Sequence, residues 1–326
     1  MRKICESIIV MAVLLFFTIM ILSNSNVVLD AVSFAIEIWK TSVFPSLFPF
    51  FVVSTFLINY GFVELSSEVF KNVMWYLFHM NGNAAFAFIM SIISGFPSSA
   101  KYTRELYLDG KINKKEATKL LMFSHFSNPL FILGTVSVLF LNNKEVGILI
   151  LSSHYICNII IGILLRNYAP SVKDLEKISL KNAILKMYEK RINSNKTFGQ
   201  IMSKAISDSI ETLLLVLGTI TVFLTITSII NNILHEPPYY QAIINGIIEM
   251  TQGLKYVGML AIPLKLKTIL ATMILSFGGL SVHIQIISIL SDTDLPYLPF
   301  FLARIFHAIL SGILVYFSFD IFTLLL

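Results

Sequence analysis

The stretch ISGFPSSAKYTREL, residues 93–106, decides how the rest of the chain is read. An apolar run ends there on Gly95, Phe96, Pro97 and a Ser98–Ser99 pair, and cations follow at Lys101 and Arg104. Glycine lacks a Cβ and proline an N–H, so both interrupt a helix where they stand. The run before them, 84–97, is short for a crossing, which takes about 20 apolar residues to cover ~30 Å of hydrocarbon. Irregular backbone at that depth leaves N–H and C=O groups unpaired and is tolerated only where protein or a wet cavity covers it. The stretch therefore predicts a broken segment facing an interior, with a helix N-terminus and hydroxyls able to meet a polar ligand group. The competing reading is a plain helix end, with serines capping the next helix and cations snorkelling to headgroups.

Outward from this stretch the chain is a polytopic membrane protein throughout. Of its 326 residues 56% are hydrophobic and 13% charged, too apolar for a soluble domain. Candidate segments recur at about 43–60, 84–97, 119–140, 145–166, 207–234, 240–262, 266–290 and 297–325. The cationic, apolar start MRKICESIIVMAVLLFFTIMIL reads as a retained first helix rather than a cleaved signal. The net charge of +5 sits in two loops and the N-terminus, where orientation in the bilayer explains it, so nucleic acid is not expected as a partner. Cys5 and Cys157 lack metal-ligand spacing, so no metal site, cofactor or disulfide framework is expected.

Several segments carry breaks like the first: Pro45 and Pro49, Asn128–Pro129, and Gly278–Gly279. The basic loops around 101–119 and 166–204, the latter including Lys173, Lys177, Asp174 and Glu176, mark the cytoplasmic side together with Arg2 and Lys3. The acidic turn SDTD at 291–294 and the loop 141–145 are expected outside. Sliding the chain on itself by 174 residues superposes Ala31 on Ala205 and Glu37 on Glu211. A shift of 182 pairs Ser94 with Ser276, Ser99 with Ser281 and His125 with His307. Under the second shift the basic turn 109–115 meets the acidic turn 291–294, one inside and one outside, which predicts two inverted repeats. The expected fold is all-α, with about eight membrane segments and broken or re-entrant helices. Its divisions are an N-terminal helix at 1–26, a first repeat at 27–168, a basic loop at 169–204 and a second repeat at 205–326.

Candidate solute-binding groups are Gly95, Pro97, Ser98 and Ser99 at the first break, Asn128 at the second, and Gly279, Ser281 and Gln285 at the third. Each has a structural alternative, in helix capping or helix packing. Glu249 lies inside an apolar run, where a carboxylate is costly and by default functional, and Arg304 is the partner to expect. His125 and His307 join them as candidate gating or coupling groups. There is no nucleophile–base–oxyanion constellation and no nucleotide or zinc-protease motif, so an enzyme is not expected.

The segments SVFPSLFPFFVV (42–53), SGFPSSAKYTRELYLDGKINKKEATKLLMFSHFSNPLFILGTV (94–136), GIIEMTQG (246–253) and LSFGGLSVHIQ (275–285) together resemble the YlbJ family of sporulation integral membrane proteins. That family shares the Gate domain of nucleoside transporters and ferrous-iron transporters. The family's usual Gly-Tyr-Pro-Ser-Gly-Ala stands here as Gly95-Phe96-Pro97-Ser98-Ser99-Ala100. The resemblance implies an endospore-forming bacterium, expression in sporulation in the forespore or mother-cell membrane, and a part in spore cortex formation. It also implies a nucleoside-like solute. With the residues above, it leads to a transporter-like protein that moves or senses a small polar solute while embedded in the lipid bilayer. Homo-oligomers or other sporulation membrane proteins are possible partners. The alternative is a non-transporting scaffold that recruits cortex-assembly proteins through the basic loop.

Overall fold

The protein is described by a computed structural model covering residues 2–171 and 178–325, with Arg2 and Lys3 as backbone only. The loop residues Lys173, Asp174, Glu176 and Lys177, and the side chains of Arg2 and Lys3, lie outside the described residues. Among those described there are only helices and connecting turns, as an all-α polytopic membrane protein requires.

Among the described residues, six helices are long and apolar enough to cross a membrane. The first is α1 (Arg2–Ser23). The second is a continuous run of α2 (Ser25–Ile38), a wide π-turn π1 (Trp39–Val43) and α3 (Phe44–Asn59). Here π1 sits just ahead of Pro45, whose missing N–H disrupts the regular ladder. After α4 (Phe62–Phe78) come two short helices, α5 (Ala84–Ser94) and α6 (Ser98–Leu108), of 11 residues each. At 1.5 Å per residue each covers about 16 Å, half of the hydrocarbon. The chain reaches the middle, turns at Gly95–Pro97 and leaves by the side it entered. Asn83 Nδ2 closes the mouth by donating to the Lys111 carbonyl at 3.1 Å. The opening stretch is thus the tip of a re-entrant hairpin.

A crossing in two pieces follows, α7 (Lys114–Phe123) and the π-helical π2 (Phe131–Phe140), broken at 124–128. Then come α8 (Glu145–Leu164), the basic-end helix α9 (Leu180–Asn193) and the 37-residue α10 (Phe198–Leu234). The apolar run at 240–262, expected as a crossing, is a second hairpin: α11 (Pro238–Ile248) and α12 (Met250–Met259) meet at Glu249. Its arms touch so closely that a Cβ on Gly253 would fall 2.2 Å from the Gly246 Cα. The chain ends with α13 (Leu264–Phe277), a left-handed Gly278, α14 (Gly279–Ile289) and α15 (Tyr297–Leu324).

Contacts at the two ends fix the direction of each piece. Lys119 reaches the Arg166 carbonyl, and Lys196 reaches Asn59, at the basic end. Asn232 bonds Asn24, and Lys265 pairs with Asp320, at the other end. The first hairpin opens at the basic end and the second at the opposite one.

Three expectations are corrected. The acidic turn 291–294 lies at the basic end: Arg104 pairs with Asp292, and Lys114 and Tyr107 with Asp294. The positive-inside rule counts cations, and a short acidic turn is free to sit wherever basic side chains neutralise it. The Arg104 guanidinium holds the Asp292 carboxyl below the usual carboxylate range. The pair therefore contributes at and above ordinary carboxylate pH and is lost only as pH falls through that lowered value. Cysteines placed at Thr293 and Lys114 are expected to be labelled from the same side of a sealed vesicle, and labelling from opposite sides would overturn this placement.

The 182-residue shift also fails, because Ser94 and Ser99 flank a hairpin tip whereas Ser276 and Ser281 flank a break in a crossing helix. By element order Ala84 corresponds to Pro238 and Phe123 to Phe277, both 154 residues apart. The 174-residue shift does bring α2–α3 onto α10, and α4, present only in the first half, shortens the offset that follows. Apolar helices with a hydroxyl every few residues match one another at many offsets, which misled the longer shift. Third, the last long crossing before hairpin 2 starts at Phe198, inside the 169–204 division, behind a Thr197–Gln200 capping box.

Candidate functional site

Both hairpin tips and both helix breaks meet near the middle of the bundle, around a cavity of about 40 Å³. Phe96 from the first tip, Ser127 and Asn128 from the first break, Glu249 and Thr251 from the second tip, and Gln285 from α14 line it, with Val43, Ser46, Val216 and Ile220 from α2–α3 and α10.

The backbone geometry at this junction explains the glycines. Gly95 has φ +76°, and a Cβ there would lie 2.4 Å from the Asn128 amide nitrogen, so tip and break touch backbone to backbone. Gly279 has φ +71°, and its Cβ would lie 2.8 Å from the Met250 nitrogen at the other tip. The Phe96–Pro97 peptide is cis, and Pro97 leads into the first turn of α6, where its carbonyl accepts from Ala100 at 3.1 Å.

Asn128 ties the first half together. Its Nδ2 donates to the Ser46 carbonyl at 3.0 Å and the Ser94 carbonyl at 3.2 Å, while its Oδ1 accepts from Leu130 and Phe131 N–H at the start of π2. Ser98 Oγ is engaged by Ser94 Oγ at 2.8 Å and by the Gly95 carbonyl, so it holds the tip rather than facing the cavity. Ser99 is buried behind the tip, its hydroxyl without a partner among the described residues. Of the expected solute-binding residues, Asn128 and Gln285 line the cavity, whereas Gly95, Pro97, Ser98, Ser99, Gly279 and Ser281 do not.

Glu249 and Arg304 do not pair. Glu249 caps α12: its Oε2 accepts from Gln252 N–H at 2.9 Å, and its Oε1 accepts from Thr251 Oγ1 at 3.1 Å and Ser281 Oγ at 3.4 Å. The positive end of a helix and two hydroxyls thus serve the carboxylate where an arginine was expected. Arg304, fully buried on α15, instead caps the C-terminal end of α7. It donates to the carbonyls of Met122 and His125, to Asn158 Oδ1 at 3.1 Å and to His307 Nδ1 at 2.9 Å. A cation at a helix C-terminus meets both the exposed carbonyls and the negative end of the dipole. Arg304→Met orphans these acceptors and is expected to destabilise the protein by about 3 kcal/mol or more, read as a loss of thermal stability in detergent. An unchanged melt would refute the strut role.

Among the buried histidines, His154 and His307 act as struts and His125 does not. His154, which the sequence reading passed over, accepts from Ser127 N–H on Nε2 and bonds Ser276 Oγ through Nδ1, linking the first break to the last turn of α13. His307 accepts from Arg304 on Nδ1, which assigns the proton to Nε2, donating to the His154 carbonyl at 2.9 Å. These partners assign both rings as neutral tautomers. The SSHYICN pattern of α8, with His154 and Asn158 one turn apart, was the available signal. His125 is different: it stacks on Phe96 at 4.8 Å and meets Phe300 edge-on, and both ring nitrogens are without a partner among the described residues.

An all-α membrane protein with two half-membrane hairpins, each followed by a broken crossing, meeting at a buried carboxylate, defines a polytopic protein with its polar site at mid-bundle. The family model for the Gate domain, described as nucleoside recognition, matches residues 41–171, from π1 through the end of α8. Over 334 aligned positions the chain is 31% identical to the sporulation integral membrane protein YlbJ of Bacillus subtilis (strain 168), covering 95% of this chain and 82% of that protein. The chain belongs to the YlbJ family of sporulation integral membrane proteins. No solved structure matches it.

Proposed function

We propose that the protein passes a small polar solute across the membrane by alternately exposing the mid-bundle cavity to either side. One observation carries this reading: three spaces follow one another along the same two helices. A cleft of about 1030 Å³ opens at the basic end beside Asn59, Asp208 and Thr212, and one of about 400 Å³ at the other end beside Asp30, Ser228 and Asn231. The 40 Å³ cavity lies between them beside Ser46, Val216 and Ile220. All these residues belong to α2–α3 and α10, so those helices form one continuous wall, and the hairpin tips and broken helices form the other.

The two halves are read as inverted counterparts, since corresponding hairpins open at opposite ends, and rocking of one against the other would expose the site to each side in turn. The cavity holds about one or two waters, whereas a drug-sized ligand takes ~300 Å³ or more, so transport requires Phe96 and the first tip to withdraw. The family model's description supports a nucleoside-like solute. Glu249, Gln285, Ser127 and Asn128 are its proposed hydrogen-bonding groups, and His125 the proposed coupling group. Family membership supports action during sporulation, with a part in cortex formation, in the forespore or mother-cell membrane. The fixed neutral tautomers of His154 and His307 support a structural rather than an acid–base catalytic role. In proteoliposomes, saturable counterflow of at least one nucleoside or cortex precursor is expected. Folded protein that exchanges none of them would sink the reading.

A further inference from the structure

Helix α9, in the basic loop, carries an apolar stripe that nothing among the described residues covers. Ile184, Leu185, Tyr188 and Ile192 are 54%, 47%, 60% and 51% exposed, and lie on one side of the helix. A different side is docked: Ala183 is fully buried, and the Met187 backbone crosses Gly61 so closely that a Cβ there would fall 2.6 Å from the Met187 carbonyl oxygen. The remaining side is polar, with Asn182, Lys186 and Glu189 exposed.

The depth of α9 is fixed at both ends. Ser179, its cap, donates from N–H to Glu68 on α4 at 3.1 Å. At the other end Arg191 lies over the Tyr60 ring at 4.8 Å, and Lys196 bonds Asn59, where α3 leaves the membrane. Phe198, which starts α10, packs on Phe56 at 5.3 Å. The helix is therefore held at the level where two crossings emerge, with a stripe too apolar for water beside lysines too polar for hydrocarbon. Lys181 falls within the apolar stripe and can snorkel to the headgroups, whereas Lys186 lies on the polar side. A helix of this composition lies in the membrane interface, its apolar face among acyl chains and its cations at anionic headgroups.

We propose that α9 lies in the plane of the cytoplasmic leaflet and binds anionic phospholipid headgroups through Lys181. This rests on the loop alone and stands whether or not the protein transports anything. The full chain with Cys5→Ser is placed in nanodiscs of phosphatidylcholine, with or without phosphatidylglycerol, and carries a nitroxide at Tyr188→Cys or Asn182→Cys. The Tyr188 label is expected to be several-fold more accessible to oxygen than to a water-soluble nickel chelate, with the ratio reversed at Asn182. Phosphatidylglycerol should deepen the Tyr188 label, and Lys181→Gln should abolish that response without moving the thermal melt. A Tyr188 label open to the chelate in both lipids would overturn the proposal by placing the stripe in water. A label shielded from both reagents in a dimeric sample would overturn it in favour of a second copy. A depth indifferent to phosphatidylglycerol would remove the headgroup preference.

Discussion

Gly95→Ala is expected to lower the yield of folded protein sharply and to reduce its thermal stability. The backbone there has φ +76° and ψ −174°, a region essentially closed to side-chain-bearing residues, which costs ~1–3 kcal/mol. The added Cβ meets the Asn128 amide nitrogen at 2.4 Å and its Cα at 2.8 Å. Backbone cannot rotate aside as a side chain can, so overpacking adds a similar ~1–3 kcal/mol. Together these consume much of a typical stability of ~5–15 kcal/mol. Gly110→Ala is the control: it shares the positive φ, at +67°, but its Cβ would meet nothing within 4 Å, so only the backbone strain is expected. Solubilised yield and thermal melts of the two variants measure the difference. Equal behaviour would mean that the tip does not bear on the break.

Glu249→Gln is expected to leave the fold intact and cut solute exchange by about 10- to 100-fold, the loss of one hydrogen bond to a charged group. The amide keeps an oxygen to accept from Gln252 N–H, so the α12 cap survives and the melt should stay close to that of the wild type. Glu249→Leu removes the cap as well and should cost about 1 kcal/mol of stability in addition to exchange. The pair of variants separates solute recognition from capping. Full exchange by the Gln variant would assign Glu249 to the cap alone.

Breaks were legible because their physics is local. Gly95, Pro97, Pro129 and Gly278 cannot continue a regular helix, and unpaired backbone at membrane depth has to be covered whatever the partners are. The turn at Glu249 was not legible: residues 238–259 contain no internal proline and are apolar enough to read as one crossing. They fold back because Gly246 and Gly253 let the arms touch and the carboxylate caps the return arm. His154 was passed over for a related reason, since its partners Ser127 and Ser276 lie on two other helices.

The amino-acid sequence by itself determined that this chain is an all-helical membrane protein, where its helices break, which loops are basic and which family it resembles. Each follows from composition, hydropathy or single residues acting on their own backbone. Which segments turn back, which end the acidic turn occupies, and whether Glu249 faces Arg304 or a helix N-terminus were decided only by tertiary structure. Those outcomes depend on pairs far apart in the chain, such as Arg104 with Asp292 and Arg304 with the carbonyls of Met122 and His125, and a buried charge takes whichever complement the packing brings within reach.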